Sequence, residues 1–316
     1  MIFQALLLLF GFVMLIKGAD WLVNGSVSLA KHYRVSELAI GLTIVAFGTS
    51  SPELVVNIIS SIKGYNDVTL GNIVGSNLFN LMLILGISGL VFPLSVQIKT
   101  IWNEIPFSLL AVILLLVLAN FSFNQTGTLT VNRIDGAILL LFFLLFMAYI
   151  FINMRKNQES METDYKKFKP LVSILFIILG LGALVIGSRV VVDNAVKIAH
   201  HLGASEKLIG ITIVSTGTSL PELVTSVVAA FRKRSDLAIG NIIGSNIFNI
   251  FLIMGLSSLI APVTYNKSFN LDILLLIAST ILLFVFMYSG KKYKLDRWEA
   301  VILLLGYFTY IAYMLI

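Results

Sequence analysis

Two short stretches hold most of the groups in this sequence that could do chemistry. Gly48-Thr49-Ser50-Ser51-Pro52-Glu53 and Gly217-Thr218-Ser219-Leu220-Pro221-Glu222 each set hydroxyls, a proline and a carboxylate inside an apolar run. Proline lacks a backbone N–H and clashes with the carbonyl four residues back, so a helix must kink or break there. The glycine ahead of it loosens the backbone further. At lipid depth such a break is tolerated only where protein buries it or where it lines a wet cavity. The freed carbonyls and the Thr and Ser hydroxyls form a cluster of neutral oxygens, to which Glu53 and Glu222 each add a carboxylate. Two unpartnered carboxylates facing each other are costly unless a cation lies between them. Oxygen donors without His or Cys suit hard cations such as Ca²⁺ or Na⁺ rather than Zn²⁺ or copper.

A second pair of stretches supplies amides and more hydroxyls. In Ser76-Asn77-Leu78-Phe79-Asn80 the spacing puts Ser76 and Asn80 on one helical face, four residues apart, and Ser245 and Asn249 repeat that spacing. Asn77 and Asn246 sit one step round the helix, a position suited to packing or interhelical hydrogen bonds. Gly71 with Gly75, and Gly240 with Gly244, have the four-residue spacing of close helix packing.

The elements that must position these residues are membrane helices. Of 316 residues, 58% are hydrophobic and 12% charged, about half the roughly 25% charged fraction of soluble domains. Apolar runs of about 20 residues, enough for a helix to cross a bilayer core, recur throughout. This composition excludes a soluble enzyme, a disordered chain and a secreted domain stapled by disulfides; with no cysteine, thiolate metal sites are excluded too. The apolar start, Ile2 to Ile16, lacks a basic leader and a small-residue cleavage site, so it reads as a retained first span. Ten spans are expected: 2–25, 37–62, 70–92, 103–120 and 136–154, then 171–198, 206–230, 238–261, 271–289 and 298–315. A polar connector, 155–170, divides residues 1–154 from 171–316. Alternate loops carry 15 and five of the Lys and Arg residues. Positive charge favours the cytoplasm, which puts the connector inside and both termini outside. The net charge of +6 is accounted for by those loops, so no nucleic-acid partner is inferred.

One offset relates the two halves. Residues 38–55 match 207–224 at 12 of 18 positions, and 71–80 match 240–249 at 8 of 10, both at 169 residues. Each copy holds five spans, an odd number, so the copies enter the membrane from opposite sides. Inverted repeats of this kind are a common plan among secondary transporters, with the substrate near the midplane where the copies meet.

These blocks, GTS-x-PEL in spans two and seven and GN-x-x-GSN-x-x-N in spans three and eight, resemble the α-repeats of the cation/calcium antiporter superfamily, the sodium/calcium exchangers of prokaryotic minimal type. The resemblance implies an all-α polytopic fold of ten helices in two inverted five-helix repeats, broken at the midplane. It implies a calcium held by Glu53 and Glu222 with backbone oxygens of Thr49 and Thr218. Sodium sites would use Ser50, Ser76, Ser219 and Ser245, the backbone carbonyls of Ala46 and Ser215, and the two glutamates. Asn80 and Asn249 would line the middle. Where the potassium-dependent branch carries aspartate this chain has Asn249, which argues against potassium co-transport, and Ser215 replaces an expected alanine.

The implied activity is calcium-for-sodium antiport by alternating access, three sodium ions per calcium and electrogenic, by a protein that works as a monomer in the plasma (inner) membrane and needs no cofactor. The alternatives are a proton-coupled calcium antiporter and a calcium-permeable channel. An intramembrane enzyme is disfavoured, because neither a His-Glu-x-x-His zinc motif nor paired membrane aspartates are present.

Overall fold

A computed structural model describes residues 2–121, 129–156, 168–201 and 215–315. Its first half contains α1 (Ile2–Tyr33), α2 (Glu37–Thr49), α3 (Ser51–Ile62), α4 (Asn66–Val91), α5 (Thr100–Asn120) and α6 (Arg133–Lys156). Its second half contains α7 (Pro170–His201), α8 (Ser215–Gly217), α9 (Leu220–Phe231), α10 (Ser235–Ile260), α11 (Phe269–Phe286) and α12 (Arg297–Leu315). Seven of the described helices are individually long and apolar enough to cross a membrane, and the α2–α3 pair, bent by 48°, makes an eighth. The chain is an all-α polytopic membrane protein, with five segments in each half. The first part of the expected span 206–230 lies outside the described residues, as does most of the connector.

Several boundaries differ from expectation. Helices α1 and α7, the first and sixth spans, each run 32 residues, about 48 Å at 1.5 Å per residue, longer than a hydrocarbon core of about 30 Å. They lie antiparallel and in contact along glycines. A methyl group added at Gly18 would come within 2.9 Å of the Gly180 carbonyl, and one at Gly180 within 2.7 Å of the Gly18 carbonyl. Gly11 meets Gly187 and Gly25 meets Ser173 in the same register. With no side chains between them the backbones approach closely, which dispersion rewards where lipid offers no hydrophobic drive. At the centre of the molecule, α10 is almost wholly enclosed by protein and α4 largely so, whereas α1, α6 and α7 turn most of their surface outward.

Four short strands show how the halves are related. β1 (Leu94–Ser95) pairs antiparallel with β4 (Lys294–Leu295), and β2 (Thr130–Val131) pairs with β3 (Val263–Thr264). β1 follows the third span and β4 precedes the tenth; β3 follows the eighth span and β2 precedes the fifth. Each ribbon therefore joins one half to the other, and the repeat exchanges the two ribbons. With five segments in each half, an odd number, equivalent segments cross in opposite directions, so the five-helix repeats are inverted about a two-fold axis in the membrane plane and the ribbons cap opposite faces. Arg234 bonds Glu37 at 2.9 Å and Gln97 bonds Asp236 at 2.6 Å on the β1·β4 face, again from half to half. On the β2·β3 face the link is neutral, Asn120 with Asn270 at 2.9 Å.

Candidate functional site

The site begins with the two prolines. Helix α2 runs to Thr49, Ser50 leaves the helical region at ψ 6°, and α3 restarts at Ser51 with Pro52 in its first turn. The second copy breaks at the equivalent serine, Ser219 standing at ψ 6° before α9. Proline at the start of a helix loses nothing, because the first N–H groups have no intrahelical partner. The same early position puts Glu53 and Glu222 in the first turns of α3 and α9, where unpaired N–H groups favour an anion. Each carboxylate is thus set where its own helix stabilises it, next to the break.

Both glutamates are 1% exposed, and the serines tie them across the repeat boundary. Ser50 Oγ donates to Glu222 Oε1 at 2.9 Å, and Ser219 Oγ to Glu53 Oε1 at 3.0 Å. Among the described residues, no ion pair is found on either glutamate; Arg189–Asp193, Arg232–Asp20 and Arg234–Glu37 pair elsewhere. Ser76 Oγ lies 3.1 Å from Ser219 Oγ, and Ser245 reaches Glu222 Oε1 at 3.5 Å. All four serines predicted from sequence therefore meet around the two carboxylates.

The amides close the middle. Asn80 Nδ2 donates to Asn246 Oδ1 at 3.1 Å, and Asn249 Nδ2 donates to Asn77 Oδ1 at 3.1 Å. Asn77 and Asn246 thus make the interhelical hydrogen bonds expected of them. Asn80 and Asn249 lie within widened, π-helical stretches, Phe79–Ile84 and Phe248–Met254, a feature frequent at functional sites. With their N–H₂ groups engaged, the Oδ1 atoms of Asn80 and Asn249 are left without a hydrogen-bond partner, as are the Oε2 atoms of Glu53 and Glu222. Buried polar atoms are seldom left unpaired. Here four acceptor oxygens are, as two repeat-related pairs on the residues just linked, with Asn77 Nδ2 the unpaired donor among those residues. Such a quartet fits a cation.

The threonines hold the break through residues that the sequence reading did not single out. Thr49 Oγ1 donates to Asn241 Oδ1 at 3.1 Å and lies 3.4 Å from the Ala46 carbonyl. Thr218 Oγ1 mirrors this with Asn72 Oδ1 at 3.4 Å. Asn241 also reaches Ser226 Oγ at 2.9 Å and the Glu222 carbonyl at 3.4 Å, and Asn57 Nδ2 reaches the Glu53 carbonyl at 2.7 Å. Asn72 and Asn241 are the asparagines of the repeated Gly-Asn pair, so their recurrence was the available signal. Asn57 aligns with Ser226, and no repeat signal marks it. Of the two carbonyl positions, Ala46 is buried and its oxygen accepts from the Ser50 N–H at 3.0 Å. Ser215 is the first described residue of α8, and its side chain lies outside the described residues. Gly240 and Gly244 pack closely as expected, against the backbone of Gly41 and Leu42 in α2; the mirrored surface for Gly71 and Gly75 falls on 207–215, mostly outside the described residues.

Comparison with known proteins places the whole chain. The family model described as sodium/calcium exchanger protein matches residues 3–152 and 172–316. The chain is 34% identical to the sodium/calcium exchanger MaX1 of Methanosarcina acetivorans, covering 97% of each, and 33% identical to the inner membrane protein YrbG of Escherichia coli (strain K12), covering 89% of each. A solved structure of the sodium-calcium exchanger NCX_Mj, soaked with Na⁺ and Sr²⁺, matches with a TM-score of 0.84 and 33% identity over 98% of both chains. A paired, inverted constellation of this kind, matched along almost the whole chain, places the protein in the sodium/calcium exchanger family.

Proposed function

We propose that this cation/calcium antiporter exchanges calcium for sodium by alternating access, three sodium ions for each calcium, and that transport is electrogenic. The observation that carries the reading is the quartet of unpartnered buried oxygens, Oε2 of Glu53 and Glu222 with Oδ1 of Asn80 and Asn249, drawn equally from the two inverted halves. In this reading Glu53 and Glu222 hold calcium with the backbone oxygens of Thr49 and Thr218. Sodium is held by Ser50, Ser76, Ser219 and Ser245, by the backbone of Ala46 and Ser215, and by the same glutamates, while Asn80 and Asn249 line the centre. The kinship with sodium/calcium exchangers over nearly the full chain supports both cargoes.

Charge bounds the mechanism. Two carboxylates are neutralised by one Ca²⁺ or by two Na⁺, so competition between the ions follows from sharing the same oxygens. A third Na⁺ leaves one net positive charge to cross the membrane. Inverted halves that exchange roles open the site first to one face and then to the other. The 15-to-five division of basic residues supports cytoplasmic placement of the 155–170 connector between repeats 1–154 and 171–316, with both termini outside. The kinship with YrbG supports the inner membrane. We propose a monomer as the working unit, because both halves of the site come from one chain, with no cofactor beyond the transported ions.

The test is calcium uptake into proteoliposomes under an imposed sodium gradient, with a proton gradient as the parallel arm. Sodium-driven uptake is expected, lost in Glu53→Gln and in Glu222→Gln. Uptake driven by protons alone would replace the coupling ion, uptake without any counter-ion would indicate a channel, and wild-type flux in either variant would defeat the ligand assignment.

A further inference from the structure

The two broken helices are held differently. Ser188, on α7, donates its hydroxyl to the Gly217 carbonyl at 2.6 Å and is 6% exposed. That carbonyl is the one Pro221 deprives of its helical donor, since the N–H of residue 221 would otherwise reach four residues back. Serines inside helices commonly bond the carbonyl four residues back in their own helix, as Ser279 does here; Ser188 reaches across to another segment instead. The backbone also differs between the copies. Ser219 N–H bonds the carbonyl three residues back, Thr216, at 3.2 Å, whereas Ser50 N–H bonds four back, to Ala46, at 3.0 Å. The second break is therefore wound more tightly at its end, in the 3₁₀ manner.

The first half has no equivalent hydroxyl. The 169-residue offset that aligns Gly11 and Gly18 with Gly180 and Gly187 puts Ala19 where Ser188 stands. An alanine side chain has no hydroxyl to donate. Helix α7 nevertheless covers both breaks, since methyl groups added at Gly48 and Gly217 would meet Leu181 and Val192, both on α7. A single helix thus lies against both breaks and makes a polar bond to one.

We propose that Ser188 is a positioning residue, which holds the second broken helix so that Thr218, Ser219 and Glu222 reach the ion site, and that this hold acts on one half alone. The proposal rests on the exchange reading above and deepens it. Helix α9 runs from Glu222 toward Arg234, on the β1·β4 face. Gly217 precedes Glu222 and so lies toward the β2·β3 face. Losing the hydroxyl should therefore weaken the site more for ions offered from the β2·β3 face.

The experiment compares Ser188→Ala with wild type in right-side-out and inverted membrane vesicles, varying calcium at one face at a time. Half-saturating calcium is expected to rise roughly threefold to tenfold at the β2·β3 face, the range given by loss of one buried hydrogen bond, and to hold steady at the other face. Ser188→Thr should keep the wild-type value while Ser188→Val, which matches threonine in shape but lacks the hydroxyl, should not, a comparison that stands even if the alanine variant fails to assemble. A second readout needs no transport: in this cysteine-free chain, a single cysteine at Leu220 should react faster with an impermeant thiol reagent from the β2·β3 face when Ser188 is replaced by Val. Equal shifts at both faces, no shift, or unchanged labelling would overturn the proposal. Absence of sodium-driven uptake in the wild type would instead overturn the exchange reading, leaving the labelling result to decide the role of Ser188.

Discussion

Glu53, Glu222, Asn80 and Asn249 each keep one side-chain polar atom in a hydrogen bond and leave an oxygen without a partner, and at the residue scale the contacts that hold them govern what substitutions do. Thr49 is the sharpest case. Its hydroxyl bonds Asn241, which in turn bonds Ser226 and the Glu222 carbonyl, so a residue of the first half steadies the carboxylate helix of the second. Thr49→Val leaves Asn241 Oδ1 buried without a donor, at a cost of about 1–3 kcal/mol. Apparent calcium affinity should fall accordingly, as measured by calcium-dependent uptake. Asn241→Leu should do the same, and the double variant should be no worse than about either single one, because contacting residues couple. Additive losses would mean that the two act separately.

At the scale of elements, two features carry predictions. The α1–α7 contact is made of backbone against backbone, with Gly18 and Gly180 facing each other. Gly180→Val must push the helices apart, and overpacking of this kind costs about 1–3 kcal/mol or more. The variant should lose thermal stability in detergent by that amount, while Gly182→Ala, a position with nothing near it among the described residues, should not. The second feature is the turn after each broken helix. Gly64 and its repeat-mate Lys233 both adopt left-handed backbone, at φ 74° and 59°, and each is closed by the same pair of bonds to residues 60 and 61 or 229 and 230. Glycine suits this conformation, whereas a side chain there costs roughly 1–2 kcal/mol. Lys233→Gly should therefore raise the melting temperature slightly, and Gly64→Lys should lower it.

At the scale of the whole molecule, the inverted arrangement itself can be tested. Ser95 and Lys294 are directly paired across one ribbon, and Thr130 and Thr264 across the other. Paired antiparallel residues lie about 4.5–5.5 Å apart at Cα, within the range a disulfide spans. Cysteine pairs at each position should cross-link, and an impermeant reductant should cleave the two links from opposite faces of sealed vesicles. Cleavage of both from one face would overturn the two-fold axis. Coupling is tested at the same scale: with one net charge moved per cycle, an inside-negative potential of about 100 mV is worth about 2.3 kcal/mol. That should shift the calcium ratio at equilibrium about fiftyfold, measured as uptake into liposomes clamped with a potassium diffusion potential.

The sequence by itself determined what depends on residue type and local spacing. Apolar run lengths set the helices, an odd number of spans per copy set the inversion, and proline after Gly-Thr-Ser set the breaks with their glutamates. The pairing of Ser76 with Asn80 and of Ser245 with Asn249 was legible for the same reason, since a helix converts spacing into a shared face. Which groups meet across the repeat boundary was decided only by the tertiary structure. Ser50 bonds Glu222 rather than Glu53, Asn80 is turned by Asn246, and Thr49 depends on Asn241, each link spanning more than 160 residues. A repeat offset aligns copies but carries no information on how one packs against the other. The glycine contact of α1 with α7, and the single hydroxyl from Ser188, follow from that packing and from the small places where the copies differ.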